Sequence, residues 1–435
     1  MQRFDIFSGK RSWMAPFFTI WTGQAFSLLG SQLVQFALIW WLTKTTGSAT
    51  ILATASLVGL LPQVLLSPVA GAMVDRWSRR AIMMLSDGTV ALATLALAGL
   101  FLSGRVEIWQ VYLAMLVRAM AGSFHWPAMQ ASTSLMVPKE NLARVQGVNQ
   151  ILMGGMNIAS APMGALLLEL LPVHGVLAID VGTALLAILP LVFIPVPQPV
   201  VQGEAGQAAA RTSVWEDLKA GLLYVKGWSG LVMILVIATI INLVLNPGFA
   251  LLPLLVTDHF KGEALQLAWM QSAWGVGVMG GGLLLSVWGG FRRRILTSLL
   301  GLLLIGGGSL VVGVSPSSAF LLALAAMFLM GVGNPITNGP LMAVVQACVA
   351  PEMQGRVFTL IISTATAMTP LGLLIAGPLA DLYGVQMWFI IGGVVTALMG
   401  VAGYFIPAIV HIEDGRHPAE EKTSGAQSLA PTPGD

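Results

Sequence analysis

Apolar residues run along this chain in long blocks separated by short polar connections. Twelve blocks stand out, at 13–42, 49–74, 81–103, 108–137, 145–171, 176–195, 231–256, 265–290, 295–314, 319–349, 357–380 and 385–407. Each is about as long as, or longer than, the ~20 residues an α-helix needs to cross a bilayer core. Lipid offers no partner for a free backbone N–H or C=O, so blocks of this length predict helices that satisfy their own backbone. The first block is too long for a signal-peptide core and holds no small-residue cleavage site, so it is expected to remain as a span. The predicted fold class is all-α and integral to a membrane, with twelve transmembrane helices.

The longest polar break, 196–230, divides the blocks into six and six. The organisation expected is a first six-helix unit at 1–195, a connector at 196–230, a second unit at 231–408 and a tail at 409–435. Residues 196–210 are rich in Pro, Gly, Gln and Ala and read as flexible linker. Residues 212–226 predict an amphipathic surface helix, with Trp215, Leu218, Leu222 and Val225 on one face and Glu216, Asp217, Lys219 and Lys226 polar. The tail from His411 onward is polar and reads as disordered. The two units echo one another. Pro127 within the fourth block, then Pro138, Glu140 and Arg144-Val145 after it, recur much as Pro340 within the tenth block, then Pro351, Glu352 and Arg356-Val357. A weaker echo sets Ser286 where the first unit has Asp75. Both echoes share nearly one offset, which predicts a duplicated unit.

Composition fits this pattern: 56% of residues are hydrophobic and only 9% charged, against roughly 25% charged in soluble domains. The net charge of +2 says little, but its placement says more. Arg76, Arg79, Arg80, Lys139, Arg144, Arg211, Lys219, Lys226, Arg292, Arg293, Arg294 and Arg356 all fall in connections on the side of the N-terminus, leaving Lys44, Arg105 and Lys261 for the other. The positive-inside rule then places both termini in the cytoplasm. Cys348 is the single cysteine, which excludes an internal disulfide framework. No nucleotide loop, metal-ligand cluster or nucleophile triad occurs, which argues against an enzyme.

Between the second and third blocks lies Gly71-Ala72-Met73-Val74-Asp75-Arg76-Trp77-Ser78-Arg79-Arg80. It resembles the loop that major facilitator superfamily transporters carry between their second and third helices, with Ser78 where the second Gly of that pattern would stand. Arg118-Ala119-Met120-Ala121-Gly122 in the fourth block is similar to the Arg-x-x-x-Gly motif of proton-coupled members. Gly154-Gly155 with Ala161-Pro162-Met163-Gly164 is a loose version of the antiporter motif of the fifth helix, Ala161 replacing a Gly. The resemblance covers the chain to about Pro407. It is nearest to the drug:proton antiporter branch that includes bacterial macrolide-efflux and enterobactin-exporter proteins.

That resemblance implies two six-helix pseudo-repeats around a central cavity, alternating access, and export of a bulky amphipathic compound such as a macrolide-like drug or other toxicant. A siderophore or other endogenous metabolite is the alternative solute. It implies no cofactor, the proton gradient being the energy source, and no nucleic-acid partner. A monomer in the bacterial inner membrane is expected, with the bilayer and the solute as its partners. Gly71, Asp75, Arg76, Arg79 and Arg80 would form a gating loop that meets Arg356 when the cytoplasmic side closes.

The first, fourth, seventh and tenth spans line the cavity in this family. In the first, Gln24, Ser27, Ser31 and Gln35 share one face by helical spacing. Asn242 and Asn246 in the seventh, and Asn334 and Asn338 in the tenth, each sit four apart. Amides in hydrocarbon must meet protein or water. Bonding between packed helices is therefore the competing reading to a wet cavity wall for each of them. Trp126 would add apolar surface. Ionisable groups within spans are few and mark function by default. Arg118 lies mid-span in the fourth block, with His125 two turns on. Asp87 and Asp180 are each about two turns from a membrane face, and both are candidate partners for Arg118 beside carbonyls or water. These four are the proton-coupling candidates. Glu169 and Asp381 lie near span ends and are expected to snorkel to water.

Overall fold

In a computed structural model the described residues, 13–197 and 214–414, are almost wholly helical, with no strand among them. The first unit comprises α1 (Met14–Thr46), α2 (Ala49–Arg76), α3 (Arg79–Leu102), α4 (Ile108–Met136), α5 (Leu142–Leu170) and α6 (Val173–Phe193). A short connector helix, α7 (Val214–Lys226), precedes α8 (Ser229–Leu254), α9 (Ala264–Trp288), α10 (Arg294–Val314), α11 (Phe320–Cys348), α12 (Pro351–Tyr383) and α13 (Val385–Phe405). A last turn, α14 (Pro407–Val410), closes the fold.

Eleven of these helices are long and apolar enough to cross a membrane by length and composition. The twelfth span, α4, is as long as most of them, with 29 residues. It is less apolar than the others because it carries Gln110, Arg118, His125 and Gln130 with several hydroxyls. The most polar span thus holds two of the four ionisable candidates, Arg118 and His125.

Packing repeats between the units. In the first, α1 packs on α5 and α6, α3 on α4 and α6, and α2 on α4. In the second, α8 packs on α12 and α13, α10 on α11 and α13, and α9 on α11. Each contact of one set has its counterpart six spans later, as a parallel repeat requires. Glycine lets backbones approach where no hydrophobic effect drives association. A Cβ at Gly306 of α10 would stand 2.9 Å from Ala397 Cα of α13, and one at Gly281 of α9 would stand 2.8 Å from Val332 Cα of α11.

The connections on the side away from the termini join the two units. Asp381, at the end of α12, accepts from the backbone N–H groups of Ala49 (2.6 Å) and Thr50 (3.0 Å) and from the hydroxyls of Thr50 (2.6 Å) and Ser48 (3.1 Å). It stays exposed at the span end, as expected, and there caps the positive end of α2 in the other unit. Lys44 and Glu263 form a second cross-link at 2.9 Å. Beneath them one apolar core draws on both units, including Leu38, Leu42 and Leu52 with Leu251, Leu255 and Trp388. At the terminus-bearing end the cores are separate. Phe17, Val74 and Val145 cluster in the first unit, Val225, Val345 and Ile412 in the second, and no residue is shared. A Cβ at Gly71 or Gly355 would meet open space there. Among the described residues, the apolar core is continuous across the units at the far end and divided at the terminus-bearing end.

Two segments differ from expectation. Ile409 and Ile412 are each 1% exposed and belong to the core of the second unit. Glu413 accepts from the Ile295 N–H at 2.8 Å, and Arg293 pairs with Asp414 at 3.6 Å. The chain therefore stays folded through Asp414 rather than entering a tail at 409, because two isoleucines and a helix cap outweigh the polar residues between them; 415–435 lie outside the described residues. In α7 the buried side is Gly221 and Val225, with Leu222 half exposed. A Cβ at Gly221 would sit 3.0 Å from the Arg356 carbonyl oxygen, so α7 docks closely on α12. Of the predicted face, the side chains of Trp215 and Leu218 lie outside the described residues, as does the linker at 198–213.

Candidate transport cavity

Two polar clusters are buried between α1, α3, α4 and α6. Seven residues on a helix are about two turns, so Arg118 and His125 project from one side of α4. The Arg118 guanidinium pairs with the carboxylate of Asp180 on α6 and donates to Thr94 of α3. It also lies 3.4 Å from the Ser31 carbonyl oxygen of α1. Asp180 is fully buried and further accepts from Thr94 (3.0 Å) and Ser31 (3.2 Å) hydroxyls. Each partner supplies what the other needs in a medium where an uncompensated charge is expensive. The close approach of α1 depends on Gly30, where a Cβ would run into Thr183 and Asp180 of α6.

The second cluster lies nearer the terminus-bearing end. Gln24 donates through Nε2 to Asp87 at 3.0 Å and accepts through Oε1 from His125 Nε2 at 2.7 Å. The carboxylate can only accept while ionised, so the amide is oriented and His125 must carry its hydrogen on Nε2. That same Nε2 stands 3.4 Å from Asp87 Oδ1, and Ser27 donates to Asp87 at 3.4 Å. The arrangement is a buried acid and a base linked directly and through one amide. Of the two readings open for Gln24, the structure shows bonding between packed helices: it is 0% exposed and bridges Asp87 and His125, which helical spacing alone does not reveal.

Both clusters edge one cavity of about 470 Å³, lined among others by Ser31, Gln35, Gln63, Asp87, Arg118 and His125. Gln63 comes from α2 and was missed, although an amide inside an apolar block was the signal used elsewhere. Trp126 is 40% exposed and falls by spacing on the Ala119–Gly122 face of α4, one turn closer to the terminus-bearing end. Across the midline a second cavity of about 220 Å³ gathers Asn242, Asn246, Asn334 and Asn338 with Phe249 and Trp274. A third, of about 410 Å³, shares Phe249, Trp274 and Asn334 with it and reaches Asn157 and Gln271. The Phe249 and Trp274 rings meet edge to face at 4.6 Å. Both aromatics also escaped the sequence reading, since a ring in an apolar span carries no positional signal.

The sequence profile of the Major Facilitator Superfamily matches residues 20–371 and 249–431. The chain belongs to this superfamily. Macrolide efflux protein A of Streptococcus pyogenes is 32% identical over 382 residues, covering 88% of this chain and 93% of that protein. Its namesake in Enterococcus faecalis is 30% identical over 75% of this chain and 100% of that protein. The multidrug efflux pump Tap of Mycolicibacterium fortuitum is 26% identical over 88% and 94%. Among solved structures, a D323A mutant of the nucleoside transporter NupG superposes with a TM-score of 0.66 at 14% identity, covering 90% of this chain and 98% of that one. A D-xylose-proton symporter gives 0.63 at 12% identity, covering 87% and 96%. This protein is a major facilitator transporter and not an enzyme.

The superfamily's loop between second and third spans takes a compact form here. Only Trp77 and Ser78 lie between α2 and α3. Ser78 has φ −63° and caps α3 by accepting from the Ala81 N–H at 3.3 Å. The position needs no left-handed backbone, so serine replaces glycine without strain and adds a cap. Arg79 donates to the Ala131 carbonyl and Arg80 to that of Val192, both at 2.6 Å, near the C-terminal ends of α4 and α6. These cations meet the negative ends of helices in their own unit. They anchor the loop to the first unit. The side chains of Asp75 and Arg76 lie outside the described residues. Arg356 is partly buried in the first turns of α12, beside the docked α7.

Proposed function

We propose that this transporter is a secondary active exporter of a bulky amphipathic compound, driven by proton antiport with alternating access. The single observation that carries the proposal is the Asp87–Gln24–His125 cluster. It is a buried acid beside a base, on the edge of the large cavity and inside the spans. A carboxylate and an imidazole can each take and release a proton, and here the cavity gives both a wet path. The rest of the central surface is amide, hydroxyl, aromatic and aliphatic, suited to an amphipathic solute and lacking the cations a phosphate or dicarboxylate would require.

The residues divide the work. Arg118 and Asp180 hold α4, α6, α3 and α1 in register as a charge-compensated pair on the cavity that the exchangeable acid also lines. Asp87 and His125 carry the exchanged proton, and Gln24 transmits the change of charge from one to the other. The distribution of Lys and Arg supports a cytoplasmic location for both termini in the bacterial inner membrane. The terminus-bearing end, where the apolar core is divided, then faces the cytoplasm, which supports an inward-open conformation, the one that collects solute. The names of the efflux relatives support the export direction and a macrolide-like solute. The test is a growth comparison across a panel of toxicants with and without overexpression, in wild type and Asp87→Asn. Raised tolerance to bulky amphipathic compounds in the wild type alone is expected. No change across the panel would overturn the export reading.

A further inference from the structure

In the 220 Å³ cavity of the second unit the amide groups are not free to turn. Asn242 Nδ2 donates to the Ala238 carbonyl at 2.8 Å and Asn338 Nδ2 to that of Asn334 at 3.1 Å. A carbonyl accepts only, so in both side chains the nitrogen faces the helix and the oxygen faces away. Asn246 uses its nitrogen twice, on Asn242 Oδ1 and Thr369 Oγ1, each at 2.8 Å. The oxygens of Asn246 and Asn338 accept no bond from any described residue. The second observation is independent. Ser298 of α10 is 3% exposed, lines this same cavity, and its hydroxyl is buried without a partner among the described residues. A buried hydroxyl left unpaired is destabilising, so one that persists on a cavity wall favours an occupant able to pair with it. No Asp, Glu, Lys, Arg or His lines the cavity.

We infer that this cavity is a head-group subsite that takes an uncharged, hydroxyl-bearing ring of the solute. The free amide oxygens accept from its hydroxyls, Ser298 completes the set, and the Phe249–Trp274 pair covers the apolar face of the ring. A cation is disfavoured, because no carboxylate is present to offset the loss of its hydration. The volume lies below the roughly 300–1,000 Å³ of sites for drug-sized ligands, so the subsite holds one part of the solute. The remainder extends into the adjoining 410 Å³ cavity. Solute head and exchanged proton are thus held in different units, and Ser298 brings in a helix outside the four expected to line the cavity. The inference rests on the reading of the chain as a transporter of an amphipathic solute.

The test is equilibrium binding of radiolabelled decyl glucoside and decyltrimethylammonium, which share a tail, to full-length protein in lipid nanodiscs. Wild type should bind the glucoside about tenfold more tightly than the ammonium. Ser298→Ala with Asn338→Leu should weaken the glucoside about tenfold and leave the ammonium unchanged, with melting temperature recorded as the control on folding. Ser298→Thr, which retains the hydroxyl, should recover most of the loss when Asn338 is intact. Tighter ammonium binding, an equal loss for both probes, or saturable binding of neither would overturn the subsite. Gradient-driven export is read separately in membrane vesicles, so failure of the subsite and failure of the transporter reading are told apart.

Discussion

Asp180 is the residue whose fate shows most directly what Arg118 does. It is fully buried and its charge is met by one guanidinium, one threonine and one serine. Removing one member of a buried pair costs about 3–5 kcal/mol, because the other charge is stranded. Arg118→Ala should therefore lower the melting temperature and the folded yield. Arg118→Ala with Asp180→Asn should restore both without restoring transport. If the double variant melts no higher than the single one, Asp180 is not the stranded group. Asp87→Asn behaves differently: it keeps volume and one of the two acceptor oxygens but cannot take up a proton, so solute binding should survive while gradient-driven movement is lost. A direct flux assay beside the binding assay checks it. Arg118 with Asp180 was legible in the sequence, since few ionisable residues fall inside spans and depth along each helix narrows the pairs. For Gln24 the two readings open from spacing, cavity wall and bonding between packed helices, could not be separated, and Ser298 carried no signal, because spacing assigns a face to a side chain but not what packs on it.

At the scale of elements, caps and close contacts set what each helix can do. Asp381 ties α12 to the first turn of α2 through two backbone donors and two hydroxyls. Charge at a helix N-terminus is worth about 0.3–1 kcal/mol when exposed and up to about 2 kcal/mol when partly buried. Asp381→Ala should weaken the far-end closure by about that much and favour the outward-open form. Ser56 lines the large cavity, so labelling of Ser56→Cys in a Cys348→Ser background by an external impermeant maleimide should quicken several-fold in the Asp381→Ala protein. Unchanged labelling would show that the cap does not hold the closed end. The last turn offers a second check. Burying an isoleucine contributes about 1.5–3 kcal/mol. Truncation before Pro407 removes Ile409, Ile412 and the Glu413 cap and should cost several kcal/mol, whereas truncation after Asp414 should leave the melting temperature near wild type. The spans themselves were readable to within a few residues; α4 and α11, marked by Pro127 and Pro340, both extend over 29 residues. The end of the fold was not, because a short run with two apolar residues looks like tail unless its packing is known.

The whole molecule is two similar units whose described apolar core is shared at one end and divided at the other. The duplication was visible in sequence as paired prolines at one offset, and the fold repeats it in its main helix pairings. Which end shares the core was not visible, since neither hydropathy nor charge reports a conformational state. Function is unevenly spread over the repeat. The first unit holds the buried ionisable clusters, and the second offers amides, an unpaired hydroxyl and two aromatic rings. Alternating access would then couple proton and solute through the common movement of the units rather than through one shared group. The central claim, export in exchange for protons, is tested most directly by solute accumulation in inside-out vesicles carrying an imposed, acid-inside pH gradient. The account predicts uptake of a macrolide into wild-type vesicles, collapse of that uptake on addition of a protonophore, and none above background with Asp87→Asn. Uptake that persists without a gradient, or that Asp87→Asn leaves intact, would contradict it.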